Sequence, residues 1–259
     1  MFGIMEKVNT RTKELASTLL EIGALLMSSG ASTGRIRVTI SRIAEALGYT
    51  SELLVTHRAL MLTLVEEESQ NFFSSLKRTS PHGVNFKVVS GISRMSWRVV
   101  EEEWDLPQIN AEIERLRSLP HYPRLVILLL VSLAGASFCR LFGGEAIEMG
   151  VAFTATFAGL YVRQESAKHA FNGYMCVFFG SLTASLISGA SVKWGLGTDP
   201  ELAFATSVLF LIPGVPLINS FTDLIDGNIM NGLVRGANGM IISFAIALGM
   251  LGAMLIYNI

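Results

Sequence analysis

The chain has 259 residues, of which 51% are hydrophobic and only 16% charged, and its mean hydropathy is +0.49. This composition is too apolar for an ordinary soluble domain of that length and indicates a membrane protein. The 20 Lys and Arg residues against 21 Asp and Glu leave a net charge of −1 and are scattered, which excludes the basic footprint of a nucleic-acid-binding protein.

Charged residues concentrate in the first half of the chain. Residues 1–120 hold 14 of the 20 basic and 14 of the 21 acidic side chains. This asymmetry predicts a cytoplasmic α/β domain at residues 1–120 and a transmembrane domain at residues 121–259. The N-terminal stretch MFGIMEKVNTRTKELA lacks the long apolar segment of a signal peptide, so we expect the first membrane helix to direct insertion.

Two amphipathic helices open the N-terminal domain. Apolar residues recur at helical spacing in two sets, Leu15, Leu19, Ile22 and Leu26, and then Ile36, Ile40, Ile43 and Leu47. Gly30 is expected to end the first helix, and Ser32 or Thr33 to cap the second.

The segment between these helices also matches G-x-S-x-G, the pattern of a hydrolase nucleophile, at Gly30, Ser32 and Gly34. That motif requires a strand before the serine, whereas a helix is predicted here. A helix cap is therefore favoured over catalysis by Ser32, and we do not expect an enzyme.

A small sheet is predicted next. The run Leu53 to Val65 is rich in β-branched and large apolar residues and predicts one buried strand. The segments NFFSSLKR and VNFKVVS flank the turn-forming TSPHG and predict a hairpin. Finally, Ile109, Ile113 and Leu116 share one face of a helix that ends at Pro120.

No metal or cofactor site is predicted. The four histidines are dispersed and are interpreted as surface or turn residues, and no P-loop, H-E-x-x-H or C-x-x-C pattern occurs. Cys139 and Cys176 lie in apolar runs, where they are expected to pack as small hydrophobic side chains.

The second half contains five apolar runs, each close to the roughly 20 residues that cross a bilayer. They predict a five-helix bundle with helices at about 125–142, 146–162, 170–190, 202–218 and 237–257. Basic residues favour the loops on the side of the N-terminal domain, so the N-terminus is expected in the cytoplasm and the C-terminus in the periplasm.

Small residues recur every four positions in two of these helices. The two sets are Gly180, Ala184 and Ser188, and Ala245, Gly249 and Ala253. In a membrane such stripes favour close helix packing, either within the chain or between subunits of an oligomer. The alternative is the ordinary abundance of Gly and Ala in membrane helices.

The fourth apolar run continues into FLIPGVPLINSFTDLIDGN, where Pro213, Gly214 and Pro216 predict a break in the helix. A regular helix through the prolines would free the carbonyls of Leu209 and Ile212, which inside a bilayer requires protein or water as a partner. The break therefore predicts a polar cavity.

Polar side chains follow the break. They are Asn219, Thr222, Asp223 and Asp226, which share one helical face, and then Asn228, Asn231 and Arg235. Interrupted helices with polar groups close by are typical of substrate and ion sites in secondary transporters. The alternative is that the helix stops at Pro216 and that residues 219–235 form an exposed cytoplasmic loop.

The sequence resembles the threonine/serine exporter family over nearly its whole length. The resemblance rests on LIPGVPLINSFTDLIDGNIMNGLVRG, whose P-G-x-P-L-I-N core is the most specific part, and on HYPR, FCRL, YVRQ, SSGAS and GVNFKVVS. It is closest to the small two-component branch that bears a soluble domain. Patterned positions of the family match Pro213, Gly214, Pro216, Asn219, Asp223, Gly227 and Arg235.

This resemblance implies an inner-membrane exporter of small metabolites, with succinate as the substrate of this branch and threonine or serine as the alternative. Longer members carry a second set of membrane helices, so a separately encoded small membrane subunit or a homo-oligomer is implied. The alternative function is a regulatory or scaffold subunit whose soluble domain senses a metabolite while the partner forms the path.

Combined with the residues present, the resemblance yields a set of expected roles. Arg235, Asn219 and Asn231 are expected to hold a substrate carboxylate, because an arginine fork grips a carboxylate through two bonds. Asp223 is expected to bind the coupling proton or a substrate ammonium group, with Asp226 as the second candidate for the proton.

Overall fold

The structure is a computed structural model that describes residues 10–66, 72–79, 83–120 and 122–259. The described residues form two compact units. The first comprises the residues up to Pro120 together with Val215–Gly236, and the second comprises the residues from Tyr122 to Gly214 together with Ala237–Ile259. The predicted domains, residues 1–120 and 121–259, stay a prediction, and in the described residues Val215–Gly236 groups with the N-terminal residues and not with the apolar half.

The first unit opens with helices α1 (Thr10–Ser28) and α2 (Thr33–Ala46). The predicted face of α1 is fully buried, and Ile36, Ile40 and Ile43 are buried on α2, while Leu47 is half-buried at its C-cap. Gly30 follows the end of α1 with φ +89°, a conformation that glycine adopts without strain. Both predicted helices and their boundary are confirmed.

A three-stranded antiparallel sheet in the order β1-β2-β3 follows, made of β1 (Tyr49–Val55), β2 (Ala59–Glu66) and β3 (Phe72–Arg78). The prediction of a single strand from Leu53 to Val65 is therefore wrong. Thr56 turns the chain, since its backbone N–H donates to the Ala59 carbonyl and its hydroxyl oxygen accepts from the Ala59 N–H. The turn converts one apolar run into a hairpin.

The first unit continues with α3 (Phe86–Glu101) and α4 (Leu106–Arg117). The predicted hairpin after β3 is wrong, because its second arm is the start of α3, capped by Asn85. Residues 80–82 of the predicted turn lie outside the described residues. The buried residues Val89, Ile92, Met95 and Val99 recur every three or four positions, which is the helical period, and Val88 is buried beside them. On α4, the predicted face of Ile109, Ile113 and Leu116 is buried as expected.

Helices α5 (Arg124–Leu141), α6 (Ala146–Lys168), α7 (Gly173–Trp194) and α8 (Pro200–Thr206) follow, then a 3₁₀ turn (Leu209–Leu211), α9 (Gly214–Ile225) and α10 (Ile229–Tyr257). Among the described residues, α5, α7 and α10 are long and apolar enough to cross a membrane, and the bent pair Pro200–Leu211 and Gly214–Ile225 could form a fourth span. Helix α6 has 23 residues, which is long enough, but it carries Glu148, Arg163, Glu165 and Lys168 and is not among these candidate spans. The predicted total of five spans therefore stays a prediction.

The proline-rich segment bends the chain by 61° between Leu211 and Gly214, which confirms a broken helix. The two carbonyls that an unbroken helix would free have backbone partners at the break. The Leu209 carbonyl accepts from the Ile212 N–H at 3.2 Å, and the Ile212 carbonyl accepts from the Gly214 N–H at 2.9 Å. Helix α9 then begins with Pro216 in its first turn, where proline is well tolerated.

The two stripes of small residues pack inside the second unit. A Cβ added at Gly159 of α6 would lie 2.7 Å from the Gly180 carbonyl oxygen, and one added at Gly249 of α10 would lie 2.7 Å from the Leu182 nitrogen on α7. Ser181 also donates to the Ile246 carbonyl at 2.8 Å. These contacts within the chain account for the stripes, so the stripes provide no support for an oligomer.

Cys139 and Cys176 are buried free thiols, in agreement with their predicted packing role. Of the four histidines, His57 and His169 fall within the described residues, and His82 and His121 lie outside them. No cluster of three His, Cys, Asp or Glu residues that could hold a metal occurs in the described parts of the chain.

Candidate functional site

A tight corner between α9 and α10 brings the predicted polar residues together in the first unit. The Asn228 N–H donates to the Asp223 carbonyl at 2.7 Å, and Gly227 adopts φ +79°. This geometry resembles a glycine-terminated helix end, in which only glycine adopts the left-handed conformation without cost. The corner reverses the chain, so that Asp223 and Arg235 face each other across twelve positions of sequence.

Asp223 is completely buried and is bound to the first residue of α2. Its Oδ1 accepts from the Thr33 backbone N–H at 3.0 Å, and its Oδ2 accepts from the Thr33 hydroxyl at 3.1 Å. The first N–H groups of a helix lack partners within the helix and carry partial positive charge, so they favour an anion. Asp223 therefore acts as a side-chain cap supplied from 190 residues away along the sequence.

Arg235 provides the opposite charge. Its Nη1 lies 3.2 Å from Asp223 Oδ2, and its Nη2 donates to the Ala31 carbonyl at 3.1 Å. Nη1 is not aligned for a hydrogen bond with that oxygen and has no other acceptor among the described residues. The pair is thus a buried charge contact of non-ideal geometry, and removal of either partner would leave an uncompensated charge.

Two asparagines join the same cluster. Asn219 Nδ2 donates to the Gly30 carbonyl at 2.7 Å. Asn231 Nδ2 donates to the Val55 carbonyl at 2.8 Å and to the Thr33 hydroxyl oxygen at 3.3 Å. Each amide therefore pairs with a group of the N-terminal part of the first unit.

The remaining predicted residues lie apart from this cluster. Asp226 is exposed, with its carboxylate next to Gly34 in the first turn of α2. Pro213 and Gly214 belong to the second unit, and Pro216 lies on the turn of α9 before Asn219. The alternative was an exposed cytoplasmic loop over residues 219–235. Most of this segment is helical, and Asp223 and Arg235 are buried, so it is not an exposed loop, while its cytoplasmic location stays a prediction.

The structure also adds residues that sequence reasoning did not assign to the site. Thr33, interpreted only as a possible cap, is the central hydrogen-bonding partner, and Arg37 donates to Asn228 Oδ1 at 3.0 Å. The sequence held one indication of the Thr33 contact. The first turn of α2 has no acidic residue of its own, so the partial positive charge at its N-terminus favours an anion from elsewhere in the chain. The other acceptors are the backbone carbonyls of Gly30, Ala31 and Val55, which residue types alone cannot identify.

Replacement of Ser32 with alanine is expected to leave unchanged the export activity that the resemblance implies. Ser32 is the N-cap of α2 and accepts from the Arg35 N–H at 3.4 Å, and a helix rather than a strand precedes it. Loss of such a cap costs about 1 kcal/mol of stability. An efflux assay beside a thermal melt measures both effects, and an abolished efflux with an unchanged melting temperature would restore the hydrolase hypothesis.

Several named proteins are similar to this chain in sequence. A relative from Klebsiella aerogenes named "Probable succinate transporter subunit YjjP" is 26% identical over 257 residues, 98% of each chain. The protein of the same name from Escherichia coli (strain K12) is 27% identical over 242 residues, 93% of each chain. The "Threonine/serine exporter" of Corynebacterium glutamicum is 24% identical over 214 residues, 80% of this chain and 44% of that one. No solved structure matches.

Residues 17–257 match the ThrE family, described as "Putative threonine/serine exporter". This is a family of exporters and not of enzymes. Together with the apolar helices, the match supports a membrane protein of the bacterial inner membrane. Because the match covers almost the whole chain, the protein belongs to the threonine/serine exporter family.

Proposed function

We propose that this chain is one subunit of a secondary exporter of small carboxylate metabolites and works with a separately encoded small membrane subunit. The observation that carries the proposal is the similarity, over almost the full length of both chains, to two proteins named as succinate transporter subunits. The longer threonine/serine exporter matches over only 44% of its length, which leaves room for a second chain to supply the rest of the path.

Succinate is the favoured substrate, and threonine or serine is the alternative. The similarity to the succinate transporter subunits supports succinate, since it covers both proteins nearly end to end. An amino acid would need an anionic partner for its ammonium group, and Asp223 could supply one only by leaving Thr33 and Arg235. A second copy of this chain is the alternative to a separate partner.

The transport roles proposed for Asn219, Asp223, Asn231 and Arg235 require an exchange of partners. Arg235 and the two amides donate to backbone carbonyls, so a substrate carboxylate would replace those carbonyls as the acceptor. Protonation of Asp223 would weaken its hold on the N-terminus of α2, and Asp226, exposed beside Gly34, is the second candidate for the proton. Substrate and proton would then both act by loosening the segment between α1 and α2.

A regulatory or scaffold subunit is the second candidate function. It is favoured by the finding that all four of these side chains bond to residues 30–55 of the same unit. In that case the cluster fixes the N-terminal residues to the α9–α10 corner, and the partner subunit forms the path. For either function we propose that the N-terminus is cytoplasmic and the C-terminus periplasmic, from the distribution of basic residues.

Reconstitution tests the proposal directly. Vesicles containing this chain and its membrane partner, loaded with labelled succinate or threonine, are expected to release succinate when a pH gradient is imposed. Vesicles with either subunit alone serve as controls, and dissipation of the gradient with an ionophore tests proton coupling. Release of neither compound by the complete complex would contradict an exporter of these substrates.

A further inference from the structure

A cavity of about 560 Å³ lies beside the α9–α10 corner within the first unit. Its volume is in the range of roughly 300–1,000 Å³ that small-molecule sites occupy. One wall is the end of β1 and the β1–β2 turn, and another is the segment that joins α9 to α10. The cavity borders the Asp223 cluster: Asn231 belongs to both, whereas Asp223 and Arg235 do not line the cavity.

The lining of this cavity is cationic and apolar. Arg37 and His57 are its charged or titratable residues, and among the described lining residues there is no aspartate or glutamate. Leu54, Val55 and Val234 contribute apolar surface. An arginine fork matches a carboxylate in shape and charge, and the apolar wall favours an organic ligand over an inorganic ion.

His57 is a partly buried histidine near two arginines. Burial first, and then the charges of Arg58 and Arg235, hold the pKa of His57 below its usual range. Of the charged groups near it, Arg37 and Arg58 belong to the helix and turn of the N-terminal part, and Arg235 to α10. An anion bound beside His57 would oppose these charges and raise its pKa.

The start of α10 adds to the same environment. Asn231 and the residues before it from Gly227 line the cavity, and the first intrahelical bond of α10 runs from the Gly232 N–H to the Asn228 carbonyl. The positive end of the helix dipole is therefore beside the cavity, where it favours an anion. Arg37 is held there by its hydrogen bond to Asn228.

We propose that this cavity binds a small organic anion through a carboxylate that Arg37 and His57 contact. The site goes beyond the proposed exporter function, because a ligand could bind here whether or not the chain forms the transport path, but the choice of succinate as the ligand rests on that proposed function. An amino acid is a poor fit, since the described lining offers no carboxylate for its ammonium group.

Calorimetric titration of the full chain in detergent with succinate tests the proposal. Arg37→Gln removes the charge but leaves an amide that can still donate to Asn228, and it is expected to weaken succinate binding by about tenfold or more. The matched control is Arg35→Gln, an exposed arginine on the same helix that does not line the cavity. It is expected to bind succinate as the wild type does.

A second measurement locates the ligand. In protein with labelled histidine, the resonance assigned by His57→Gln is expected to titrate at higher pH when succinate is present, and succinamide, which lacks the charge, is expected to cause no shift. Absence of succinate binding, equal binding by Arg37→Gln, or an unchanged His57 titration would each overturn the site. Transport is not measured, so failure here is separate from failure of the export assay.

Discussion

Replacing Asp223 with alanine is expected to destabilise the first unit by about 3–5 kcal/mol, because it leaves the buried Arg235 without its counter-charge. The same change deprives the Thr33 N–H and hydroxyl of their acceptors. Trp97 and Trp104 both lie in this unit, so urea unfolding of the solubilised chain, followed by tryptophan fluorescence, reports the loss.

Two further variants separate the causes of this loss. Asp226→Ala removes an exposed carboxylate three residues further along the chain and is expected to change stability by less than about 0.5 kcal/mol. Asp223→Ala combined with Arg235→Met removes both charges and is expected to recover part of the loss, since no buried charge is then left alone. A double variant less stable than Asp223→Ala would contradict the ion-pair account.

The double variant also distinguishes the two candidate functions. If Asp223 and Arg235 only hold the N-terminal residues in place, restored stability is expected to restore efflux of preloaded succinate. If they carry the proton and grip the substrate, efflux stays abolished although the protein is folded and assembled. Asp223→Asn alone is a weaker test, because an amide cannot accept both Thr33 hydrogen bonds and still pair with Arg235.

The helices that could be predicted from the spacing of apolar residues are those with one buried face. Leu15 to Leu26 on α1 and Ile109 to Leu116 on α4 repeat every three or four residues, and the structure buries them. The run from Leu53 to Val65 could not be resolved from apolarity alone, since both strands of the hairpin are apolar. Its division depends on hydrogen bonds of Thr56, which begins a short polar interruption of the run at Thr56, His57 and Arg58.

Sequence reasoning grouped Asp223 and Arg235 as polar residues after the proline pair, and their transport roles stay predictions. The direct contact between their side chains was not predicted and depends on the corner at Gly227, which reverses the chain. Their other partners are the Thr33 N–H and the Ala31 carbonyl, which lie about 200 residues away in sequence. Backbone groups carry no residue-specific signal, so contacts of this kind cannot be found from one sequence.

The close packing of α6 against α7 predicts the second large effect. Gly159→Ala is expected to destabilise the second unit by about 1–3 kcal/mol, the usual cost of overpacking a well-packed contact. The added methyl would lie 2.7 Å from the Gly180 carbonyl oxygen and 2.9 Å from the Ala184 Cβ. Both obstacles belong to or adjoin helix backbone, so relief requires the helices to move apart.

Gly150→Ala on the same helix is the matched control, because a Cβ at Gly150 meets nothing within 4 Å in the described structure. Alanine there reduces the freedom of the unfolded chain and is expected to stabilise by about 0.4–1 kcal/mol. The two glycine-to-alanine changes thus shift stability in opposite directions within one helix. Both stability changes are measured by heating the solubilised protein and using gel filtration to determine how much folded protein remains at each temperature. Equal shifts would mean that helix propensity, and not the contact between α6 and α7, determines the effect of small residues in this unit.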